Sequence, residues 1–237
     1  LAAIGGLLVA ASPHAAPPLP ALGADLDRLT VSGISAGGYM AVQFQVAHSA
    51  LVKGVGVLAG GPYECAEGST WRALTNCMEP GSATAVPDAA RTQGRIEAQA
   101  RAGRIDPPAG LRDDRVWVLS GGADRTVERP VVDALVAFYR GRLADGALRY
   151  EQVPGAGHAM ISIADPAANA CATSDAPFIN RCGEFDAAGQ LLAHLLGPLG
   201  PRSAVPTGEV LAYDQRPFTA GRPIDLSMAE QGHVYVP

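Results

Sequence analysis

The sequence predicts an α/β fold, a mostly parallel sheet with flanking helices, and three observations carry that prediction. Short apolar runs rich in β-branched residues alternate with stretches of helical periodicity. Glycine-rich loops follow the ends of these runs. The first run stops at Gly33-Ile34-Ser35-Ala36-Gly37, and a helical pattern starts directly after it.

In chain order, residues 29–31 read as a strand, and Met40, Ala41, Phe44, Val46 and Ala47 read as an apolar helix packed under the sheet. Between them Ser35 occupies a nucleophile elbow, a strained turn where side chains at Gly33 and Gly37 are expected to collide with neighbouring backbone. Ser35 Oγ then stands above the sheet, and the Ala36 N–H and the positive helix end face any oxyanion forming on a substrate carbonyl. Residues 55–61 suit a buried parallel strand that ends in glycines. Residues 62–87 are a long irregular segment with Cys65, Cys77 and Trp71, expected to lie as a bridged loop over the carboxyl ends of the strands. A helix with a mixed polar face follows over 89–102. A strand over 116–120 opens into Gly121-Gly122-Ala123-Asp124. Residues 131–143 have helical spacing, and a strand over 148–153 runs into Pro154-Gly155-Ala156-Gly157-His158. The last strong helix covers 187–196.

A chain of 237 residues, 48% apolar and 17% charged, buries one large core, so residues 17–237 read as a single domain. The net charge of -5 is mild. Without a basic block, zinc-finger spacing or aromatic–basic interleaving, nucleic acid is not the expected partner. Residues 1–16 run from an apolar stretch into small residues before Pro17-Pro18-Leu19-Pro20. They read as part of a secretory signal, with cuts after Ala11 or Ala15, and are too short to span a bilayer. The four cysteines fit an exported protein. Of the three connectivities, pairing Cys65 with Cys77 and Cys171 with Cys182 closes the shortest loops. No Cys-x-x-Cys or Cys/His cluster points to a metal site.

Asp124 and His158 each fall just past the carboxyl end of a predicted strand, on the rim where a parallel sheet also puts the elbow. The chain order Ser35, Asp124, His158 is that of the α/β-hydrolases. In this reading His158 takes the Ser35 proton and returns it to a leaving alcohol, while Asp124 orients the imidazole. Other candidates fit less well. His48 and His194 lie in helical patterns, His14 in the signal stretch and His233 in a terminal strand. Asp113 and Asp114 precede their strand and belong to the opposite rim. Asp133 sits in a helix and Asp145 in a turn, and Asp165 and Asp175 look like turn formers.

Several blocks of the chain together resemble one family. They are residues 33–41 (Gly33-Ile34-Ser35-Ala36-Gly37-Gly38-Tyr39-Met40-Ala41), Gly60-Gly61-Pro62-Tyr63-Glu64-Cys65, Ser120-Gly121 with Asp124-Arg125-Thr126-Val127, Gly157-His158, Phe178-Ile179-Asn180-Arg181-Cys182-Gly183 and Asp186-Ala187-Ala188-Gly189. In this order they are similar to the extracellular poly(3-hydroxybutyrate) depolymerases whose lipase box lies near the N-terminus. The resemblance implies a secreted serine esterase that cleaves short-chain polyhydroxyalkanoates without a cofactor, with the triad Ser35, Asp124 and His158 and bridges Cys65–Cys77 and Cys171–Cys182. That family is circularly permuted, and its second oxyanion loop follows a segment like Gly232-His233-Val234-Tyr235-Val236-Pro237. The chain is therefore expected to be truncated at its C-terminus, with Ala36 as its one oxyanion donor. Two other readings stand beside this one: a carboxylesterase or feruloyl-type esterase on soluble esters, and a non-catalytic fragment or surface-binding protein.

Overall fold

The computed structural model describes residues 16–203, 205 and 207–237. Almost all of the stretch read as a secretory signal, His14 included, lies outside the described residues. Where the sequence reads as one domain over 17–237, the described chain divides into two compact units, one formed by residues 25–200 and the other by residues up to 24 together with 201–237.

The larger unit is built on four parallel strands, β1 (Thr30–Ile34), β2 (Gly54–Leu58), β3 (Arg115–Gly121) and β4 (Leu148–Val153), in the order β1-β2-β3-β4. Parallel strands covered on both faces need apolar residues in succession, and β2 is buried along its whole length. The period of two divides these residues between two helical layers. Val55, Val57, Val116 and Val118 pack with helices α1 (Ala36–Ala47), α3 (Ala89–Arg101) and α4 (Arg129–Tyr139). Leu58, Trp117 and Leu119 pack with α5 (Ala187–Leu196) on the other face. Asp88 and Asp186 cap α3 and α5 by accepting the Arg91 and Gly189 N–H groups at 2.8 and 3.1 Å.

Three features differ from the sequence reading. Within α1 the buried row is Gly38, Ala41, Val42, Gln45 and Val46, whereas Met40 and Phe44 face outward, because they lie on the opposite helical row. The segment 62–87 contains a helix, α2 (Thr70–Cys77), capped by Ser69 Oγ. Its apolar residues Trp71 and Leu74 are exposed, so it has no buried stripe to announce it. Finally, a small parallel sheet of β5 (Met160–Ile161), β6 (Asn169–Ala170) and β7 (Ile179–Arg181) follows β4. Disulfides join Cys65 to Cys77 and Cys171 to Cys182, with Cα atoms 6.0 and 4.7 Å apart. In the smaller unit, β8 (Glu209–Asp214) pairs antiparallel with β9 (Gln231–Val236), and Asp214 N–H donates to Pro17 O at 2.8 Å. Among the described residues no helix is long and apolar enough to cross a membrane.

The turn between β1 and α1 is held by backbone contacts. Ser35 sits at φ 55 and ψ -125, a conformation that a side-chain-bearing residue adopts only where its surroundings impose it. Its N–H donates to Leu58 O at 2.9 Å, and its carbonyl accepts the Tyr39 N–H at 3.0 Å. A Cβ at Gly33 would lie 2.3 Å from the Gly37 carbonyl carbon and oxygen. Gly37 departs from expectation: a Cβ there meets nothing within 4 Å, and the second close approach belongs instead to Gly38, whose Cβ would lie 3.1 Å from the Gly33 and Leu58 carbonyl oxygens.

At the opposite end of the sheet a polar chain crosses the core. Gln45 Nε2 donates to Asp114 Oδ2 at 2.8 Å, and Tyr139 OH donates to Gln45 Oε1 at 2.6 Å. All three residues are buried. Burial pushes the Asp114 carboxyl up to about 6, against the opposing pull of the Gln45 hydrogen bond and the Lys53 charge.

Two outcomes are expected. Gly33→Ala lowers stability by about 3 kcal/mol or more, because backbone must move, whereas Gly37→Ala stays within about 1 kcal/mol of the parent; comparable urea midpoints for the two variants would contradict the steric account. Because the Asp114 pKa is raised on folding, its proton stabilises the fold fully below the ordinary carboxylate range, and that stability is lost as pH rises through about 6. Relative to Asp114→Asn, the parent therefore loses about 2–3 kcal/mol between pH 4 and 7. Parallel pH profiles of unfolding free energy for the two proteins would overturn it.

Candidate active site

The parallel order places three loops on one rim: the elbow after β1, the loop after β3 with Asp124, and the loop after β4 with His158. The last two are laced together, with Gly122 N–H donating to Val153 O and Ala123 N–H to Ala156 O, both at 2.9 Å. Asp124 is oriented by its own turn, since its Oδ1 accepts the N–H groups of Thr126 and Val127 at 2.8 and 3.0 Å. Its Oδ2 is left facing His158 Nδ1 at 2.8 Å. The Asp124 side chain is 1% exposed and that of His158 8%, so little water competes for this bond. A carboxylate only accepts, so Nδ1 donates this bond, and in the neutral imidazole Nε2 keeps a free lone pair.

His158 is backed by the loop that the second disulfide closes. Its N–H donates to Ser174 Oγ at 2.9 Å, and Gly157 N–H donates to Cys171 O at 2.9 Å. Asn180, fully buried in β7, ties this loop by donating to the Cys171 and Thr173 carbonyls at 2.9 and 2.7 Å. The fit leaves no room for a side chain at Gly157, where a Cβ would lie 2.4 Å from Thr173 O.

Ser35 and His158 line one cavity of about 500 Å³ with Ile34, Thr126, Ser174 and Phe178. The His158 side chain bonds to Asp124 and not to Ser35; hydrogen bonds between nucleophile and base are often long in free enzymes and shorten with substrate. A second cavity of about 520 Å³ also borders Ser35, lined by Ala36, Tyr39, Ala66, Ala73 and Met78 among others. Ala36 opens α1, an end where backbone N–H groups lack intrahelical partners and so can meet an anion. Tyr39 OH donates to the Cys77 carbonyl, and burial, reinforced by the charge of Asp124, pushes its pKa far up and keeps the phenol neutral.

The competing residues have other partners. His194 Nε2 donates to Ala147 O at 2.9 Å, His48 packs on the Phe44 ring, and Asp133 accepts from Tyr150 OH at 2.7 Å. Asp165 Oδ1 caps a turn through the Ala167 N–H at 2.8 Å. Sequence reasoning missed Ser174 and Asn180 as supports of His158. It also missed Tyr39, Ala73 and Met78 as cavity wall; the cysteine spacing located the segments of Ala73, Ser174 and Asn180 but not their orientation.

No protein-family model matches the chain. It is 41% identical over 229 residues to a poly(3-hydroxybutyrate) depolymerase of Delftia acidovorans, an alignment covering 95% of this chain and 44% of that protein. It is 31% identical to a polyhydroxybutyrate depolymerase of Talaromyces funiculosus, over all of this chain and 66% of that one. The chain thus spans roughly half to two thirds of the length of these curated relatives. Among solved structures, the crystal structure of a PHB depolymerase from Penicillium funiculosum is similar at a TM-score of 0.80 and 30% identity, covering 93% of this chain and 66% of that one. A serine-to-alanine variant of PHB depolymerase complexed with an R3HB trimer gives a TM-score of 0.80 at 29% identity, with the same coverage. By sequence along nearly its whole length, and by the sheet and helices just described, the chain belongs to the family of the polyhydroxybutyrate depolymerases.

Proposed function

We propose that the chain is a secreted serine ester hydrolase of poly(3-hydroxybutyrate) and related short-chain polyhydroxyalkanoates, working through an acyl-enzyme on Ser35. The observation that carries this reading is the buried Asp124–His158 pair, 2.8 Å apart, facing the cavity that also holds Ser35. Ser35 Oγ attacks the ester carbonyl carbon while His158 Nε2 accepts its proton. Ala36 N–H donates to the resulting oxyanion, and Asp124 stabilises the imidazolium. Collapse breaks the ester C–O bond, and the imidazolium proton passes to the departing hydroxyl end of the chain. Water, deprotonated by the same nitrogen, then releases the hydroxyacid and restores Ser35. These steps need no cofactor.

The substrate class draws on the relatives, which are polyhydroxybutyrate depolymerases, on the R3HB trimer held by the similar structure, and on the apolar cavity beside Ser35. Export draws on the two disulfides, which persist in oxidising compartments, and on the apolar N-terminal stretch.

Ser35→Ala is expected to abolish both ester hydrolysis and labelling by an organophosphate; labelling at the parent rate would refute the nucleophile. Asp124→Asn is expected to lower kcat on the order of 10⁴-fold, the scale seen when the orienting carboxylate of such a triad loses its charge and the imidazole its tautomer. A kcat within tenfold of the parent would remove Asp124 from the mechanism. Clearing of poly(3-hydroxybutyrate) granules and cleavage of an R3HB trimer should accompany activity on simple esters. Hydrolysis of feruloyl or simple esters with the trimer untouched would replace the polyester reading by a soluble-ester one.

A further inference from the structure

Helix α2 supplies one wall of the larger cavity beside Ser35, through Ala73 and Cys77, with Met78 directly after it. Yet Cys77 is its only buried residue, while Trp71 and Leu74 are 73% and 51% exposed. Apolar burial within α2 itself therefore contributes little. Beyond the packing of Met78 on the core, its ties include the Cys65–Cys77 bridge, the Tyr39 hydroxyl on the Cys77 carbonyl, Met78 O accepting the Glu128 N–H at 2.9 Å, and Gln43 Oε1 accepting the Glu64 N–H at 2.8 Å.

A further tether comes from α3. Arg95 of α3 reaches Glu64 Oε2 with Nη1 at 3.0 Å and pairs with Glu67 through Nη2. Glu64 and Glu67 stand at φ 49 and 50, the left-handed region that favours glycine, and both side chains turn toward the same guanidinium. Gln99 Nε2 adds a bond to Glu64 Oε1 at 2.7 Å, and Arg72 one to Glu67 at 2.6 Å. The pairs are partly sheltered, with Arg95 30%, Glu64 25% and Glu67 19% exposed. A planar guanidinium serves two carboxylates at once, which a lysine ammonium on its flexible stem does less well.

We propose that Arg95 is a positioning residue for substrate: by clamping Glu64 and Glu67 it fixes the α2 wall, and so the width of the cavity beside Ser35. The inference rests on the hydrolase reading above. It acts on binding rather than on the chemical step, because Ser35, Asp124 and His158 follow strands β1, β3 and β4 and lie outside this segment.

The test uses the full chain, with Arg95→Gln, Arg95→Lys and, as a control on the same helix, Arg101→Gln, whose partner Glu97 lies 3.9 Å away on an exposed face. With R3HB trimer as substrate, R95Q is expected to raise KM about tenfold with kcat within about twofold of the parent, R95K to fall between, and R101Q to match the parent. Amide hydrogen exchange over residues 70–78 should quicken in R95Q while that of β2 and β3 stays unchanged. Unchanged KM in an active parent background, or a matching fall in kcat with faster exchange throughout the sheet, would overturn the inference and leave the hydrolase reading intact. A parent that cleaves no ester would sink the hydrolase reading instead, and exchange over 70–78 would still decide the clamp: the parent rate in R95Q overturns it. If R95Q fails to fold, R95K and Glu67→Gln carry the same readouts.

Discussion

One buried hydrogen bond, from His158 Nδ1 to Asp124 Oδ2, sets the conditions that the rest of the larger unit meets. A carboxylate that is 1% exposed needs compensating donors, and Asp124 finds them in the Thr126 and Val127 backbone N–H groups of its own turn. The loops after β3 and β4 must then be neighbours, which the parallel pairing of those strands provides. His158 must also be kept from turning away, and this falls to the bridged segment behind it, through Ser174, the Cys171 carbonyl and the buried amide of Asn180. The placement of the Asp124–His158 pair is thus an outcome of sheet order plus one disulfide-closed loop, with the covalent bridge contributing about 3 kcal/mol by limiting the unfolded chain.

The parts of this arrangement that are legible in the sequence are those fixed by burial on both sides. Residues of β2 and β3 form uninterrupted apolar runs because helices cover both faces, and a short run of that kind between glycines fits a buried strand better than any exposed element. Asp124 and His158 are legible for the same reason, since strand ends are easy to locate when strands are. The helix α2 is not, because its two large apolar residues face outward and a periodic stripe is what reveals a helix. The β5–β7 sheet stays hidden because strands of two or three residues leave no pattern to read. The elbow misleads in one detail. A Gly-x-Ser-x-Gly motif suggests equal crowding at both glycines, but the helix turns Gly37 away from backbone and brings Gly38 against Leu58 O instead.

The buried polar chain Asp114, Gln45 and Tyr139 shows how the sheet's two ends divide their work. Both rims bury a carboxylate. On the active rim Asp124 faces an imidazole and two backbone donors, so its charge is compensated where it sits. On the far rim Asp114 faces a neutral amide, and burial raises its pKa to about 6. The same residue type is thereby the partner of an imidazole at one end of β3 and a carboxyl of raised pKa at the other, decided by what surrounds it.

A second division runs across the site itself. Ser35 directly follows β1, and Asp124 and His158 lie in the loops after β3 and β4, so the sheet order brings them to one rim. The α2 segment beside Ser35 buries only Cys77 of its own residues. A disulfide, a tyrosine hydroxyl, a glutamine and an arginine clamp tie it, together with the packing of Met78 on the core. On the proposed function, the placement of Ser35, Asp124 and His158 and the shape of the cavity beside them are therefore set by different parts of the structure. On the proposed hydrolase reading, changes confined to residues 62–78 and to the face of α3 that meets them are expected to alter which ester is held without altering how its bond is broken.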